Sequence, residues 1–406
     1  MEQEKEKKKQ NQNQISIHDI LPLDLIQRIL LRLPVKKLAR LRCVSKLWCS
    51  LTSDPHLAEL HLQHSPEPTL ACLFIEPFGE AHLVHPEELF TDRYYEIEDV
   101  SLPFKKTNPP SIVCVMGSCR GFILLNVRPH FLVVWNPLTG SRKKISYSFI
   151  VSRSVRPSWA TMFQGVPALY GLGYDASQDD YLVVVGWLDI NYNHHLDYFS
   201  LRTNSWINLD AALPKPLDSR GWKCRGLFLN GSIHWLMWSS HHKVDSEALL
   251  TFDLKERSFS MISIPEQLLT FRQYRDADLG LLGGCLAIYC RGYDADKTDI
   301  WVMKDYKVHS SWTLCVIPGL DVKPLCLSNG GDIIALDCLP PLQYRRLWFA
   351  KYNLREDLLQ RFECPPLDPY HLHHENYYVY TESLLLLPSY SKHKKKKKEK
   401  KKKKVM

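Results

Sequence analysis

Hydrophobic positions change their period once along this chain. Between Ile17 and Leu62 they recur at helical spacing, with Ile26, Ile29, Leu30 and Leu33 at i, i+3, i+4, i+7 on one face. Leu21, Leu25 and Leu31 lie off that face. A helix apolar on two sides needs a large core or a second protein, and because the sequence soon turns polar a partner is expected. Pro22 suits a first helical turn and Asp24 complements its dipole. Pro34 ends that helix and starts another over Val35–Leu41. A third, near Val44–Leu51, presents Val44, Leu47, Trp48 and Leu51, and Asp54-Pro55 marks its end. Three short helices are predicted.

From Thr69 the runs become strand-like, four to eight residues long, rich in β-branched and aromatic residues and divided by Gly, Asn, Asp and Pro. They come in pairs: Arg120–Asn126 with Phe131–Gly140, Tyr181–Leu188 with His195–Trp206, Gly226–Trp238 with Ala248–Ile264, Leu281–Cys290 with Asp299–Cys315, and Leu327–Cys338 with Leu347–Phe362. The turn positions Asn136, Arg202, Asp253, Lys304 and Asn353 lie 66, 51, 51 and 49 residues apart. A period near fifty with four strands per unit points to an all-β, kelch-like β-propeller. Five units are visible. A sixth can be composite, Thr69–His85 supplying strands and Tyr377–Leu387 returning to close the ring and remove open edges. Six blades are expected, and five to seven fit the spacing. The organisation is then a disordered, polar 1–14, a helical unit over 15–62, the propeller over 69–388 and a disordered lysine tail over 389–406.

Net charge is +8, but Ser391–Met406 holds eleven lysines and one glutamate, so residues 1–390 carry −2. No specific nucleic-acid surface is expected from so nearly neutral a body. The tail reads equally as a nuclear-import signal or as a solvated segment without a reader, and nucleus and/or cytoplasm is the expected location. The twelve cysteines form no CxxC pair and are expected to be reduced. The N-terminus has no apolar core for a secretory signal, and no apolar run is long enough to span a membrane. Asn230-Gly231-Ser232 is expected to be a tight turn.

No P-loop, GxSxG or HExxH motif occurs. Gly171-Leu172-Gly173 lacks a third glycine and sits in strand-like sequence. His371, His373 and His374 with Glu375 form the densest histidine cluster, better explained as loop histidines than as a metal site. Cys119 beside Arg120 is the one candidate nucleophile, but a strand position argues for packing. No catalytic residue, metal or cofactor is expected.

The helical unit resembles the F-box: Leu21-Pro22, Leu25, Ile29, Leu33-Pro34-Val35, Leu38, Arg42-Cys43-Val44-Ser45-Lys46 and Trp48 match its signature. The resemblance implies docking onto a Skp-type adaptor and, through it, a cullin-based ubiquitin ligase. It assigns the adaptor-facing set to Leu21, Pro22, Leu25, Ile29, Leu33, Pro34, Val35, Leu38, Val44, Ser45 and Trp48. The remainder is similar to the plant F-box-associated domain at Ser118-Cys119-Arg120-Gly121, Val134-Trp135-Asn136-Pro137-Leu138-Thr139-Gly140, Gly171-Leu172-Gly173-Tyr174-Asp175 and Leu229-Asn230-Gly231-Ser232-Ile233-His234-Trp235. Paired glycines of the kelch type occur only at Gly283-Gly284 and Gly330-Gly331. What this implies is a non-catalytic substrate-recognition subunit that binds its target protein through the propeller. The competing expectation is a ubiquitin-independent propeller scaffold whose helical unit dimerises. For target binding the long connections 152–168, 239–247, 267–278 and 365–376 are favoured, with Arg153, Arg156, Trp159, His241, Arg272, Tyr274 and Tyr370 as hot-spot residue types.

Overall fold

The computed structural model describes residues 21–388, apart from 66–68, 77–79, 92–94, 96, 105–112, 128–130, 155–166, 192, 210–224, 238–247, 270–273, 293–296, 319–321, 340–345, 354, 356 and 364–376. Four helices come first: α1 (Leu23–Leu30), α2 (Val35–Leu41), α3 (Lys46–Thr52) and α4 (Pro55–His64). The fourth was not expected. Asp54-Pro55 both ends α3 and starts α4, because the Asp54 carboxylate caps the His56 N–H at 3.1 Å and proline is favoured in a first turn. Val44 lies before α3 rather than in it, since Ser45 takes the N-cap and accepts from the Trp48 N–H.

The strands form six four-stranded antiparallel sheets among the described residues. Five are contiguous in sequence, spanning 113–146, 167–209, 227–263, 274–318 and 322–363. The remaining sheet is composite: β24 (Tyr377–Thr381) pairs with β1 (Leu70–Ile75), which continues to β2 (Ala81–Val84) and β3 (Glu98–Asp99). Taken as blade 1, this sheet joins the chain's two ends, and blades 2 to 6 follow in order. The first strands of blades 1 and 2, 2 and 3, 3 and 4, and 5 and 6 lie against one another.

Continuous apolar runs follow from burial on both sheet faces. In Phe122–Val127, Phe122 and Leu124 enter the core between blades 2 and 3, whereas Ile123 and Leu125 enter the one between blades 1 and 2. Tyr181 to Val185 alternate in the same way between the two faces of blade 3. Outermost strands such as Arg142–Ser146 and Leu358–Glu363 are mostly exposed or half-buried.

Turn chemistry carries the repeat. Arg120-Gly121, Asn230-Gly231 and Gly283-Gly284 all have positive φ and join the first two strands of their blades. Such pairs match the twist of a tight hairpin. The five positions that set the fifty-residue period all open the turn between third and fourth strands. There Asn136, Asp253 and Asn353 accept two backbone N–H bonds each. Gly171 and Gly173 are glycine for space, since a Cβ would lie 2.6 Å from Ile233 and 2.4 Å from Leu254 of blade 4.

The Ile233-His234-Trp235 segment ties three blades together. Trp235 Nε1 donates to Tyr170 O of blade 3 at 2.8 Å. His234, fully buried, lies 3.1 Å through Nδ1 from Leu227 O and 2.9 Å through Nε2 from the Tyr306 hydroxyl of blade 5. Burial pushes its imidazole down to about 4, with Lys307 acting in the same sense and the Leu227 carbonyl opposing. A neutral ring therefore stabilises the fold fully above about pH 6.5, and that contribution is lost as pH falls toward 4. Linkage puts the loss at about 2 kcal/mol by pH 5. Urea unfolding should show the gap between wild type and His234→Gln narrowing from pH 7 to pH 5.

Candidate functional site

The helical unit divides its apolar residues between two destinations. Ile26, Leu30, Val35, Leu38, Leu57 and Ala58 are buried in one core with Phe122, Leu124, Tyr181 and Leu384 of the propeller. On the other side Leu23, Leu25, Ile29 and Val44 are 54%, 40%, 50% and 66% exposed. Partner and core are thus both provided for. Val35 and Leu38, counted in the adaptor-facing set, are 2% and 0% exposed and are corrected to internal contacts. Leu21, Leu33 and Trp48 are half-buried against that core. Pro22, Leu25, Ile29, Pro34, Val44 and Ser45 remain exposed. Leu23, three residues before Ile26, joins this surface although it is absent from the adaptor-facing set.

Polar contacts fix the helices to the ring. Glu59 of α4 pairs with Arg120 in the first hairpin turn of blade 2, and the guanidinium lies 3.8 Å from the Tyr174 ring centre. Against a burial cost, Tyr181, Glu59 and Tyr174 hold the Arg120 pKa above its ordinary value. Lys36 of α2 pairs with Glu98 and lies 3.6 Å from Glu88 and 3.4 Å from His85 Nδ1. These propeller groups sit at the ends of first or third strands, in the connections that follow them, or at the start of the next strand. The helices therefore cap one end of the ring.

Every connection chosen from sequence for target binding leaves strands at the opposite end, since each follows a second or a fourth strand. Arg153 ends the helix Ser148–Arg153 there and is exposed. Arg156, Trp159, His241, Arg272 and Tyr370 lie outside the described residues, as does the 371–375 histidine cluster; Tyr274 opens the inner strand of blade 5. Beside Arg153, a groove between blades 2 and 3 is lined by Phe149, Trp187, Ile190, His195 and Trp206. His195 stacks on Trp187 at 4.4 Å and meets Asp189 at 3.1 Å. Despite a burial cost, bonds from the Asn193 side chain and backbone, His195 and Asn191 hold Asp189 well below the usual carboxylate range. Ile190 is 67% exposed at the rim. The groove therefore offers aromatic surface, the Arg153 guanidinium and the Asp189 and Asp197 carboxylates.

A cavity of about 400 Å³ lies along the axis, walled by the inner strands of blades 1, 4, 5 and 6 with Arg225, Asp278, Tyr289 and Tyr377. Arg225 and Asp278 approach to 3.8 Å, and Arg225 also donates to Tyr377 O. Cys119 is buried and its thiol is pushed well up by desolvation, with Arg120 only partly opposing. Thiolate chemistry is disfavoured there, and Cys119 packs in the core between blades 2 and 3. Among the described residues no helix is long and apolar enough to cross a membrane.

Two family profiles match this chain: the F-box domain over residues 19–60 and the F-box associated beta propeller domain over residues 82–332. F-box protein CPR1 of Arabidopsis thaliana is 30% identical over 378 residues, covering 85% of this chain and 85% of that protein. F-box/kelch-repeat protein At3g23880 of the same plant is 28% identical, covering 76% of this chain and 83% of that protein. Among solved structures, AofleA from Arthrobotrys oligospora aligns over 78% of this chain and 90% of its own at 11% identity and TM-score 0.38.

Proposed function

The chain belongs to the F-box proteins that carry an F-box-associated β-propeller, and from that premise we propose that it serves a Skp–cullin–F-box ubiquitin ligase as its substrate-recognition subunit. The observation that carries this is the two-sided helical unit. One apolar stripe is consumed by the propeller, while Leu23, Leu25, Ile29 and Val44 stay exposed on a unit already anchored. An exposed apolar patch on a fixed element suits a protein partner. In this proposal the Skp-type adaptor covers that patch and brings the cullin.

The target protein docks at the opposite end of the ring, where the groove beside Arg153, Trp187 and Ile190 provides aromatic and charged anchors. Arg120, Glu59 and Lys36 keep adaptor and target at a fixed separation. The mechanism is proximity: target lysines are held near an activated thioester carried elsewhere in the complex, which raises their effective concentration. F-box proteins are in general non-catalytic adaptors, and this role requires no reacting group from the chain.

Co-expression of the full-length chain with a Skp-type adaptor and a cullin tests the proposal. A stable complex with equal amounts of chain and adaptor is expected on size exclusion. A homodimer that captures no adaptor would instead support the scaffold alternative and end the ligase proposal.

A further inference from the structure

The hairpin joining β1 to β2 leaves the ring at the end opposite the helical unit. Its register sets Ile75 against Ala81, and the Glu76 N–H donates to Glu80 O at 2.8 Å, which makes Glu76 and Glu80 the next opposed pair. Opposed residues share a face, as do residues two apart on one strand. Glu76, Glu80 and His82 therefore point the same way. Asp99 joins them, because β3 places it directly across from His82.

Side-chain geometry sharpens this. One carboxylate oxygen from each glutamate and one His82 ring nitrogen lie within 4.8 Å of one another. His82 Nδ1 sits 2.9 Å from Asp99 Oδ1, and since a carboxylate can only accept, Nδ1 carries the proton. In the neutral ring Nε2 then holds a lone pair. It is buried, has no hydrogen-bond partner among the described residues, and stands 3.5 Å from Glu76 Oε1 in a residue only 9% exposed. An imidazole lone pair and two carboxylates thus converge on one point.

We propose that Glu76, Glu80 and His82 form a binding site for a divalent transition-metal ion, zinc by preference, oriented by Asp99. Ligand atoms about 2.1 Å from a tetrahedral ion stand roughly 3.4 Å apart, close to the observed Nε2–Oε1 separation. One imidazole and two carboxylates suit zinc or manganese better than calcium, which takes six or more oxygens. The contact from Asp99 to the second ring nitrogen is the outer-shell support that metal-bound histidines usually have. The ion cross-links the hairpin to the body of blade 1.

The rival arrangement is an imidazolium ion-paired with Glu76 and Asp99, with no metal. Calorimetric titration of the full-length chain with Zn²⁺ separates the two, using Glu76→Gln/Glu80→Gln, which keeps side-chain shape. Wild type should take up one more equivalent than the double variant, and Zn²⁺ should raise the melting temperature of wild type only. Asp99→Asn should weaken that equivalent about tenfold or more. Identical isotherms for wild type and the double variant would overturn the site. So would a double variant that melts lower without metal yet differs in no Zn²⁺ uptake, since that outcome belongs to the ion pair.

Discussion

Ile29→Asp in the full-length chain should abolish co-purification with a Skp-type adaptor while shifting the melting temperature by no more than a degree or two. Ile29 is half-exposed in α1, so a carboxylate there stays hydrated in the free protein, and the propensity change is a few tenths of a kcal/mol. Under a partner the same carboxylate is desolvated without a counter-charge. About 3 kcal/mol or more is then lost, roughly a hundredfold in affinity. Leu30→Asp, one residue on, is the matched opposite. Leu30 is 1% exposed in the core shared with blades 2 and 3, so its replacement should destabilise the chain by about 3 kcal/mol or more. Retained adaptor binding by Ile29→Asp, measured by pulldown beside thermal melts of both variants, would falsify the assignment of the exposed stripe.

The second large effect is structural. Asn136→Ala should lower the unfolding free energy by about 3 kcal/mol, although Asn136 lies in a surface-type turn motif. Its side chain is fully buried. Nδ2 donates to Ser383 O at 2.9 Å and to Leu385 O at 3.0 Å, and Oδ1 accepts from the Leu138 and Thr139 N–H groups. Ser383 Oγ donates to Arg120 O, and the Leu387 N–H donates to Ser141 Oγ. Blade 2 thereby clamps the segment that follows β24, the strand completing blade 1. Alanine leaves two carbonyls and two N–H groups to find other partners, at about 1–3 kcal/mol for each that stays buried and unpaired. Urea denaturation checks the magnitude, and faster amide exchange over Tyr377–Thr381 checks the mechanism. A loss under 1 kcal/mol would mean that ring closure does not depend on this clamp.

Much of the fold was legible because its cause is local. Asn136, Asp253 and Asn353 marked the repeat since each must bond back to its own turn wherever it sits. Asn230-Gly231 announced a hairpin through its φ requirement alone. The apolar runs predicted strands because propeller strands are covered on both faces. Helix α4 is not legible from the pattern because Asp54-Pro55 both stops one helix and starts the next.

The exposed apolar face of the helical unit was legible in kind but not residue by residue. Periodicity shows that α1 is apolar on two sides, without saying which side meets the propeller. Val35 and Leu38 went inward, while Leu23 and Ile29 stayed out, once Glu59 met Arg120 and Lys36 met Glu98. Those pairs join residues far apart in sequence. No window of sequence contains both partners.

The amino-acid order by itself determined the helical unit, the fifty-residue repeat, the turns and the near-neutral body, because periodicity, backbone preference and charge act over a few residues. Tertiary structure alone decided which apolar stripe remained free, which end of the ring each connection leaves, and that Glu76, Glu80, His82 and Asp99 share one face. The physical reason is register. A slip of one residue turns a strand's side chains to the other face, and register is fixed only when distant strands pair and the ring closes.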